Sequence, residues 1–147
     1  MDDYQKIMEK EIDLIQSCIN RMAQNSFAIK GWLITLVTVI LALLPEKVDI
    51  SLLSIVVIIA TLCFWYLDAY YLRLERLYRW KYEWVIDNRL QCNDNIFNLD
   101  PENEEMWKKE HKKLPSIISV MFSSSILPLY GIIIIFSGFC FLNAVLF

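Results

Sequence analysis

Three uncharged apolar blocks restrict what this chain can fold into more than any other feature of its sequence. They cover residues 31–44, 50–67 and 114–147, and the last block contains thirty-four residues. A bilayer core of about 30 Å is crossed by about 20 helical residues. In lipid, only helices and closed barrels satisfy their own backbone polar groups. The blocks therefore predict an all-α membrane protein with a transmembrane helical hairpin, a C-terminal transmembrane segment and cytoplasmic helical extensions.

Composition agrees with this fold class, because 56% of the residues are hydrophobic and the mean hydropathy is +0.40. A soluble domain typically has about 45–50% apolar residues. We divide the chain into a cytoplasmic amphipathic helix, a transmembrane hairpin, a cytoplasmic segment of helices and a loop, and a C-terminal membrane segment. In that order they occupy residues 1–26, 27–68, 69–113 and 114–147, and the two hairpin spans cover about 27–45 and 50–68.

Residues that break helices set the predicted ends of these elements. Pro45 begins the sequence PEKVD, which predicts a tight turn between the two spans of the hairpin. The second span meets no Gly or Pro before residue 90, so it is predicted to continue as one helix of about forty residues. Residues 88–101 are rich in Asn and Asp and predict a loop. Pro101 is expected in the first turn of the next helix.

The C-terminal block is longer than a single span requires, because thirty-four helical residues would measure about 51 Å. Pro128 divides this block. We predict a kinked helix, or a short interfacial piece, followed by a third span of about nineteen residues. Two short spans, which would return the C-terminus to the cytoplasm, are the alternative.

Basic residues predict how the chain is oriented in the membrane. Of the fourteen Lys and Arg residues, four precede the first block, one lies between the first two blocks, and nine lie in residues 68–113. Cytoplasmic segments of membrane proteins carry the excess of Lys and Arg. We therefore expect a multi-pass membrane protein whose N-terminus and middle segment are cytoplasmic.

The N-terminal helix carries a regular apolar seam. Its members follow one another at spacings of four and three residues: Met8, Ile12, Ile15, Ile19 and Met22. Such a heptad pattern fits a coiled coil between chains, or packing on the middle helix of the same chain. We predict a surface for a cytosolic partner that includes this seam and nearby cations, formed by Ile12, Ile15, Ile19, Arg73, Arg76 and Arg79.

Ionisable groups at the edge of an apolar block are costly unless they are paired. Lys30 precedes the first block and Asp68 follows the second, so an antiparallel hairpin brings them to similar depth. We predict that they form an ion pair, either as a static anchor of the topology or as a gating or sensing pair. Aromatic residues are expected at the membrane interface beside this pair, namely Trp32, Trp65, Tyr70 and Tyr71.

Small residues in the last block predict helix packing. Ser119 and Ser123 are four residues apart, and Gly131 and Gly138 are seven apart on one helical face. Small side chains let helix backbones approach one another in lipid, within a chain or between chains. Three apolar helices enclose little by themselves, so we favour a homo-oligomer.

The sequence offers no arrangement typical of catalysis or of ligand binding. His111 is the one histidine and lies in a charged run, the four cysteines form no CxxC motif, and the three glycines are isolated. Nucleic acid is not an expected partner, because Glu75, Glu83 and Asp87 interleave with the basic and aromatic residues after Asp68. We predict no enzyme activity, no catalytic residue, no cofactor and no metal ion.

Residues 25–36 (NSFAIKGWLITL) and 64–79 (FWYLDAYYLRLERLYR) resemble segments of small multi-span bacterial membrane proteins. The plan of a hairpin between cytoplasmic helices, over residues 20–85, is similar to that of SLATT-like transmembrane effectors of antiviral defence systems. This resemblance implies a non-enzymatic protein of the cell inner membrane that oligomerises and forms a pore or otherwise perturbs the bilayer when a cytosolic defence-system protein or signal releases it. The alternative is a membrane scaffold or sensor subunit that recruits a cytosolic partner.

Overall fold

The computed structural model describes residues 3–43, 49–92, 94–109 and 113–146. Every regular element in these ranges is a helix, and they follow the order α1 (Asp3–Leu43), α2 (Ile50–Asn88), α3 (Glu104–Lys109), α4 (Ile117–Met121) and α5 (Leu127–Leu146). The all-helical prediction is therefore confirmed for this part of the chain. The tight turn predicted after Pro45 lies outside the described residues except for Asp49, and His111 lies outside them too.

The long helices α1 and α2 contain 41 and 39 residues. Asp49 caps the start of α2, because its Oδ1 accepts a hydrogen bond from the backbone N–H of Ser51 at 2.8 Å. The helix ends at Asn88, whose carbonyl oxygen accepts the backbone N–H groups of Gln91 and Cys92 at 3.0 Å. A single helix of the predicted length thus extends from the second apolar block into the aromatic and charged sequence beyond it.

Within the described ranges, three helices, α1, α2 and α5, are long and apolar enough to cross a membrane. Helix α4 has only five residues, about 7.5 Å at 1.5 Å per residue, and is too short to do so. The division of the last block falls at residues 122–126 rather than at Pro128. Pro128 is the second residue of α5. A backbone N–H at this position would have no acceptor within the helix, so the lack of one in proline costs no helical hydrogen bond.

The chain forms two compact units, to which α1 and α2 both contribute. The first, which we call the charged unit, comprises Met1–Gln24 and Tyr71–Ser116. The second, the apolar unit, comprises Asn25–Tyr70 and Ile117–Phe147.

The core of the charged unit is built from the apolar seam of α1. Ile15, Cys18 and Met22 pack with Tyr78 and Val85 of α2. The other seam residues lie at the edge of the same cluster, partly buried. The seam is therefore used for packing on α2 of the same chain, which was one of the two arrangements that its heptad spacing allowed.

Helix α3 begins later than Pro101, contrary to the prediction. The side chain of Asn103 caps it, because Oδ1 accepts the backbone N–H of Met106 at 3.2 Å. Pro101 precedes the cap, and its carbonyl oxygen accepts a hydrogen bond from Nε1 of the buried Trp107 at 2.8 Å. Trp80 of α2 meets the Trp107 ring edge-on, at 5.8 Å between the ring centroids. The aromatic contact fixes α3 against α2 within the charged unit.

Candidate functional site

A polar cluster lies inside the apolar unit and is centred on Asp68. The carboxylate has no exposed surface, although the unit around it is built mainly from aliphatic and aromatic side chains. Lys30 Nζ lies 2.7 Å from Oδ2 and 2.8 Å from Oδ1 of Asp68. The structure thus brings together the two residues that the hairpin argument paired.

Two further groups complete the cluster. Ser26 Oγ donates a short hydrogen bond to Oδ1 of Asp68 and accepts one from Lys30 Nζ at 2.8 Å. Tyr130 donates its hydroxyl hydrogen to Oδ2 at 3.0 Å and is itself fully buried. Asp68 therefore accepts hydrogen bonds from three of the described side chains, and we call Ser26, Lys30, Asp68 and Tyr130 the Asp68 cluster.

Three helices supply the Asp68 cluster. Ser26 and Lys30 are four residues apart on α1 and share one face of that helix, while Asp68 belongs to α2 and Tyr130 to the first turn of α5. Of these four residues, the sequence pattern predicted Lys30 and Asp68. Ser26 could have been found from its spacing to Lys30, but Tyr130 could not, because its place depends on how α5 packs. All three candidate spans consequently meet in one side-chain network.

Aromatic rings pack beside the Asp68 cluster. Trp65 stacks on Tyr130, with 5.8 Å between ring centroids and 5° between the ring planes, and meets Phe122 edge-on at 5.5 Å. Its indole Nε1 donates to the carbonyl oxygen of Met121 at 3.0 Å, one of the acceptors that the end of α4 leaves without a helical partner. These contacts hold the start of α5 against α2 next to the carboxylate.

The predicted interface aromatics are consequently placed in different surroundings. Trp65 is only 7% exposed, so it does not face outward as an interface residue would, because its ring and its N–H both have partners inside the unit. Trp32 is 68% exposed. Tyr70 is at the exposed surface, and Tyr71 packs against the core of the charged unit. Trp32 and Tyr70 are therefore the two that are placed on an outer surface.

The small residues of the last block are not used for close helix contact within the described chain. A Cβ atom built on Gly131 or Gly138 meets no other atom within 4 Å. Ser119 is exposed, and the buried Ser123 Oγ has no hydrogen-bond partner in the described residues. The backbone of α5 at both glycines therefore remains accessible to a neighbouring helix.

The residues predicted as a partner surface do not form one continuous exposed patch. Ile15 is 1% exposed and belongs to the core of the charged unit, at whose edge Ile12 and Ile19 lie. Among the cations, Arg73 pairs with Glu102 and donates to the carbonyl oxygen of Pro115, Arg79 pairs with Glu75 on its own helix, and Arg76 is half-buried. The side chains that remain open for a partner are chiefly polar.

A second buried ion pair lies in the charged unit and was not anticipated from the sequence. Arg89 donates from Nε and Nη2 to the two carboxylate oxygens of Glu11, and both side chains are almost fully buried. Arg89 Nη1 donates to the carbonyl oxygens of Cys92 and Asp94, and the backbone N–H of Phe97 donates to Glu11. We call this group the Glu11–Arg89 clasp, and it fixes the loop that follows α2 onto α1.

The same loop contains two residues with left-handed backbones, Asn95 with φ 57° and Phe97 with φ 54°. Asn adopts this region with little strain, whereas a bulky aromatic residue rarely does. The hydrogen bond from the Phe97 N–H to Glu11 holds the strained residue in place. Sequence composition marks the segment as a loop but does not reveal which buried carboxylate organises it.

Lys81 is a third buried charge in the charged unit. It is 2% exposed, and its Nζ donates to the carbonyl oxygen of Asp100 at 2.8 Å. Desolvation lowers the pKa of Lys81 from 10.5 to about 8, Asp100 and Glu11 oppose this change, and Arg89 adds to it. The ammonium group therefore anchors the loop before α3 at a cost in solvation.

The chemistry of the Asp68 cluster is that of a structural contact between helices. It pairs one carboxylate with one ammonium group and two hydroxyls, without a free base beside a nucleophile. Among the residues that the structure describes, no group of three His, Cys, Asp or Glu side chains could hold a metal ion. What the arrangement can do is join three helices through a charge pair that depends on their relative positions.

Comparison of the chain with protein family models, with curated proteins and with solved structures found no match.

Proposed function

We propose that the protein is a non-enzymatic effector of a bacterial inner membrane, in which the Asp68 cluster holds three transmembrane helices in a closed arrangement. When the cluster opens, chains associate through the apolar unit and permeabilise the bilayer. A cytosolic protein of the same defence system is the proposed trigger. The setting in antiviral defence is supported by the resemblance of residues 25–36 and 64–79 described above.

The observation that carries this proposal is the Asp68 carboxylate, which is fully buried among three apolar helices and paired with Lys30. Charged groups within a membrane segment are costly, so an ionisable residue there is a candidate functional site by default. Removing one partner of a buried pair typically costs about 3–5 kcal/mol. Because its four members come from three helices, a shift of any one helix breaks contacts of the Asp68 cluster. The Asp68 cluster therefore stabilises one arrangement of the three helices strongly and other arrangements weakly, as a closed state requires.

The outer surface of the apolar unit supports association between chains. Large apolar side chains cover it, including Ile59, Ile132 and Ile135. On α5, the open backbone at Gly131 and Gly138 allows a second helix to approach closely. A homo-oligomer built through α5 would use both features.

Induced expression in bacteria with a membrane-potential dye tests the proposal. We expect Asp68→Asn to depolarise cells at least about tenfold faster than the wild-type protein at equal membrane levels, because tenfold corresponds to about 1.4 kcal/mol of closed-state stability. Asp87→Asn is the matched control, since Asp87 is an exposed carboxylate of the same helix. Depolarisation by Asp68→Asn that stays at the wild-type rate in correctly inserted protein contradicts the proposal.

A groove in the charged unit supports a second candidate, a scaffold or sensor subunit. It measures about 430 Å³ and is lined by both long helices through Gln16, Ile19, Asn20, Arg79, Tyr82 and Glu83. Its mixed polar lining suits a cytosolic protein segment. An intact membrane potential in every variant, together with a partner whose binding is lost in Tyr82→Ala, would favour this function over the first.

A further inference from the structure

A cavity of about 160 Å³ lies in the apolar unit between α1, α2 and α5. Aliphatic and aromatic side chains form most of its wall, among them Val37, Val57 and Phe136. Two serines complete the lining, Ser54 of α2 and Ser137 of α5. Ser54 precedes Asp68 by fourteen residues, about 21 Å along the helix, so this cavity is separate from the Asp68 cluster.

The two serine hydroxyls distinguish this cavity from an ordinary packing gap. Ser54 and Ser137 are each 6% exposed, and neither hydroxyl makes a hydrogen bond to any residue that the structure describes. Nearby Thr61 behaves differently, since its hydroxyl donates to the carbonyl oxygen of Val57 at 2.7 Å. A largely buried hydroxyl without a partner costs free energy. Ser54 of α2 and Ser137 of α5 therefore leave two unused hydrogen-bond donors in the lining of an otherwise apolar cavity.

The lining also restricts the kind of molecule that fits. None of the described residues that line the cavity carries a charge, so this lining offers no partner to an ionised head group. Cavities of about 150 Å³ with aliphatic walls bind small apolar molecules. Ile132 and Phe136 line the cavity and are also exposed on the outside of the unit, so the cavity opens toward whatever surrounds the helices. The lining therefore favours an apolar, uncharged molecule that enters the cavity from the surroundings of the helices.

We propose that this cavity binds a bilayer lipid by the ester end of one acyl chain. The ester carbonyl oxygen, which has two lone pairs, accepts hydrogen bonds from Ser54 and Ser137, and the first methylenes fill the aliphatic part. Ser54 is four residues, about 6 Å along the helix, from the start of α2, so the cavity lies near one end of the predicted span, where the ester end of an acyl chain is closest. The inference requires that the apolar unit lies in a bilayer, but not that the protein permeabilises it.

Photo-crosslinking in reconstituted vesicles tests this site. The vesicles contain an ester-linked phospholipid with a diazirine on its first methylenes, or the ether-linked analogue, which keeps the chain and lacks the carbonyl. We expect the ester lipid to label the cavity-lining segments of α2 and α5 at least about fivefold more than the ether lipid. Ser54→Ala and Ser137→Ala should each lower ester labelling toward the ether level, and Ser125→Ala, at an exposed serine outside the cavity, should not.

A cavity-filling variant, Ser137→Leu, should suppress labelling by both lipids. Circular dichroism and thermal unfolding establish whether each variant is folded, and the two alanine variants test the site if Ser137→Leu does not fold. Equal labelling by ester and ether lipids overturns the proposal. Labelling that is spread over outward positions such as Ile59 and Ile135, and that is unchanged in the serine variants, also overturns the proposal. A cross-link that places a second protein chain in the cavity overturns it as well.

Discussion

Two buried ion pairs join α1 to α2, one in each unit, and they are completed by different kinds of group. Around Arg89 and Glu11, the remaining donors and acceptors belong mostly to the backbone of the loop within eight residues of Arg89. Around Asp68, they are the side chains of Ser26 and Tyr130, which are 42 and 62 residues away in the sequence.

This difference indicates different roles for two contacts of similar chemistry. The Glu11–Arg89 clasp is satisfied by a local turn, so it persists as long as that loop and the two helices are folded. The Asp68 cluster is satisfied only while three helices keep their relative positions. A contact of the second kind can serve as a switch, because its stability depends on the arrangement of the helices and not on local chain geometry.

The largest effect on stability is expected when Lys30 is replaced. Lys30→Met leaves the fully buried Asp68 carboxylate without its counter-ion and should lower the free energy of unfolding by about 3–5 kcal/mol. Asp68→Asn should cost less, about 1.5–3 kcal/mol, because the side chain of Lys30 is 27% exposed and can move its charge toward solvent. Thermal and denaturant unfolding in detergent measure both.

The double variant Lys30→Met with Asp68→Asn sharpens this test. Since it removes both charges, its loss of stability should be smaller than the sum of the single losses. Strict additivity of the two single losses would show that the ion pair does not stabilise the apolar unit.

A somewhat smaller effect, confined to the charged unit, is expected for Arg89→Met. Among the described residues, it leaves the buried Glu11 with the Phe97 N–H as its one donor, so we expect a loss of about 3 kcal/mol and faster amide exchange in residues 94–98. Hydrogen exchange followed by mass spectrometry measures the second effect.

Arg79→Met is the matched control for Arg89→Met. Arg79 pairs with Glu75 one turn away on α2, and the side chains of Arg79 and Glu75 are 60% and 13% exposed. Because the Arg79 charge is largely solvated, a pair at this helical spacing contributes about 0.5 kcal/mol. Equal losses in Arg79→Met and Arg89→Met, or unchanged exchange in the loop, would contradict the role given to the clasp.

The smallest effect is a pH dependence that comes from Lys81. Below pH 8 the amine is protonated in the folded and the unfolded protein alike. Between pH 8 and 10.5 the folded protein has released this proton while the unfolded protein keeps it, so rising pH favours folding. The stability of the wild-type protein relative to Lys81→Met should therefore increase from pH 7.5 to 9.5, as measured by unfolding temperatures.

Lys10→Met is the control for this titration, because Lys10 is exposed on α1 of the same unit. The pKa of Tyr78 is raised by burial and by Cys18, so this phenol titrates above the chosen window. A difference between wild type and Lys81→Met that stays constant, or falls, with rising pH would show that Lys81 is not held in a desolvated site.

The sequence predicted the features that depend on composition along one helix. The absence of Gly and Pro after the second apolar block predicted the length of α2. The segment rich in Asn and Asp predicted where this helix ends. The pairing of Lys30 with Asp68 followed from their depth in a hairpin, which is a property of two neighbouring helices.

Features that depend on packing were not accessible in this way. Trp65 looked like an interface aromatic because it follows an apolar run, but its burial depends on where α4 ends and α5 begins. Glu11 and Arg89 are 78 residues apart, and neither has a local pattern that distinguishes it from its exposed charged neighbours. Such contacts follow from tertiary packing, which periodicity in a single segment does not specify.

Leakage from vesicles tests most directly the claim that the Asp68 cluster holds the three helices closed. Purified wild-type protein, Lys30→Met, Asp68→Asn and the double variant are reconstituted at equal density, and release of a trapped dye is followed. We predict that each single variant releases dye at least about tenfold faster than the wild type, and that the double variant, which also lacks the ion pair, releases dye faster than the wild type but by less than the product of the two single effects. Equal release by all four proteins, or release by the double variant at the wild-type rate, would contradict the claim.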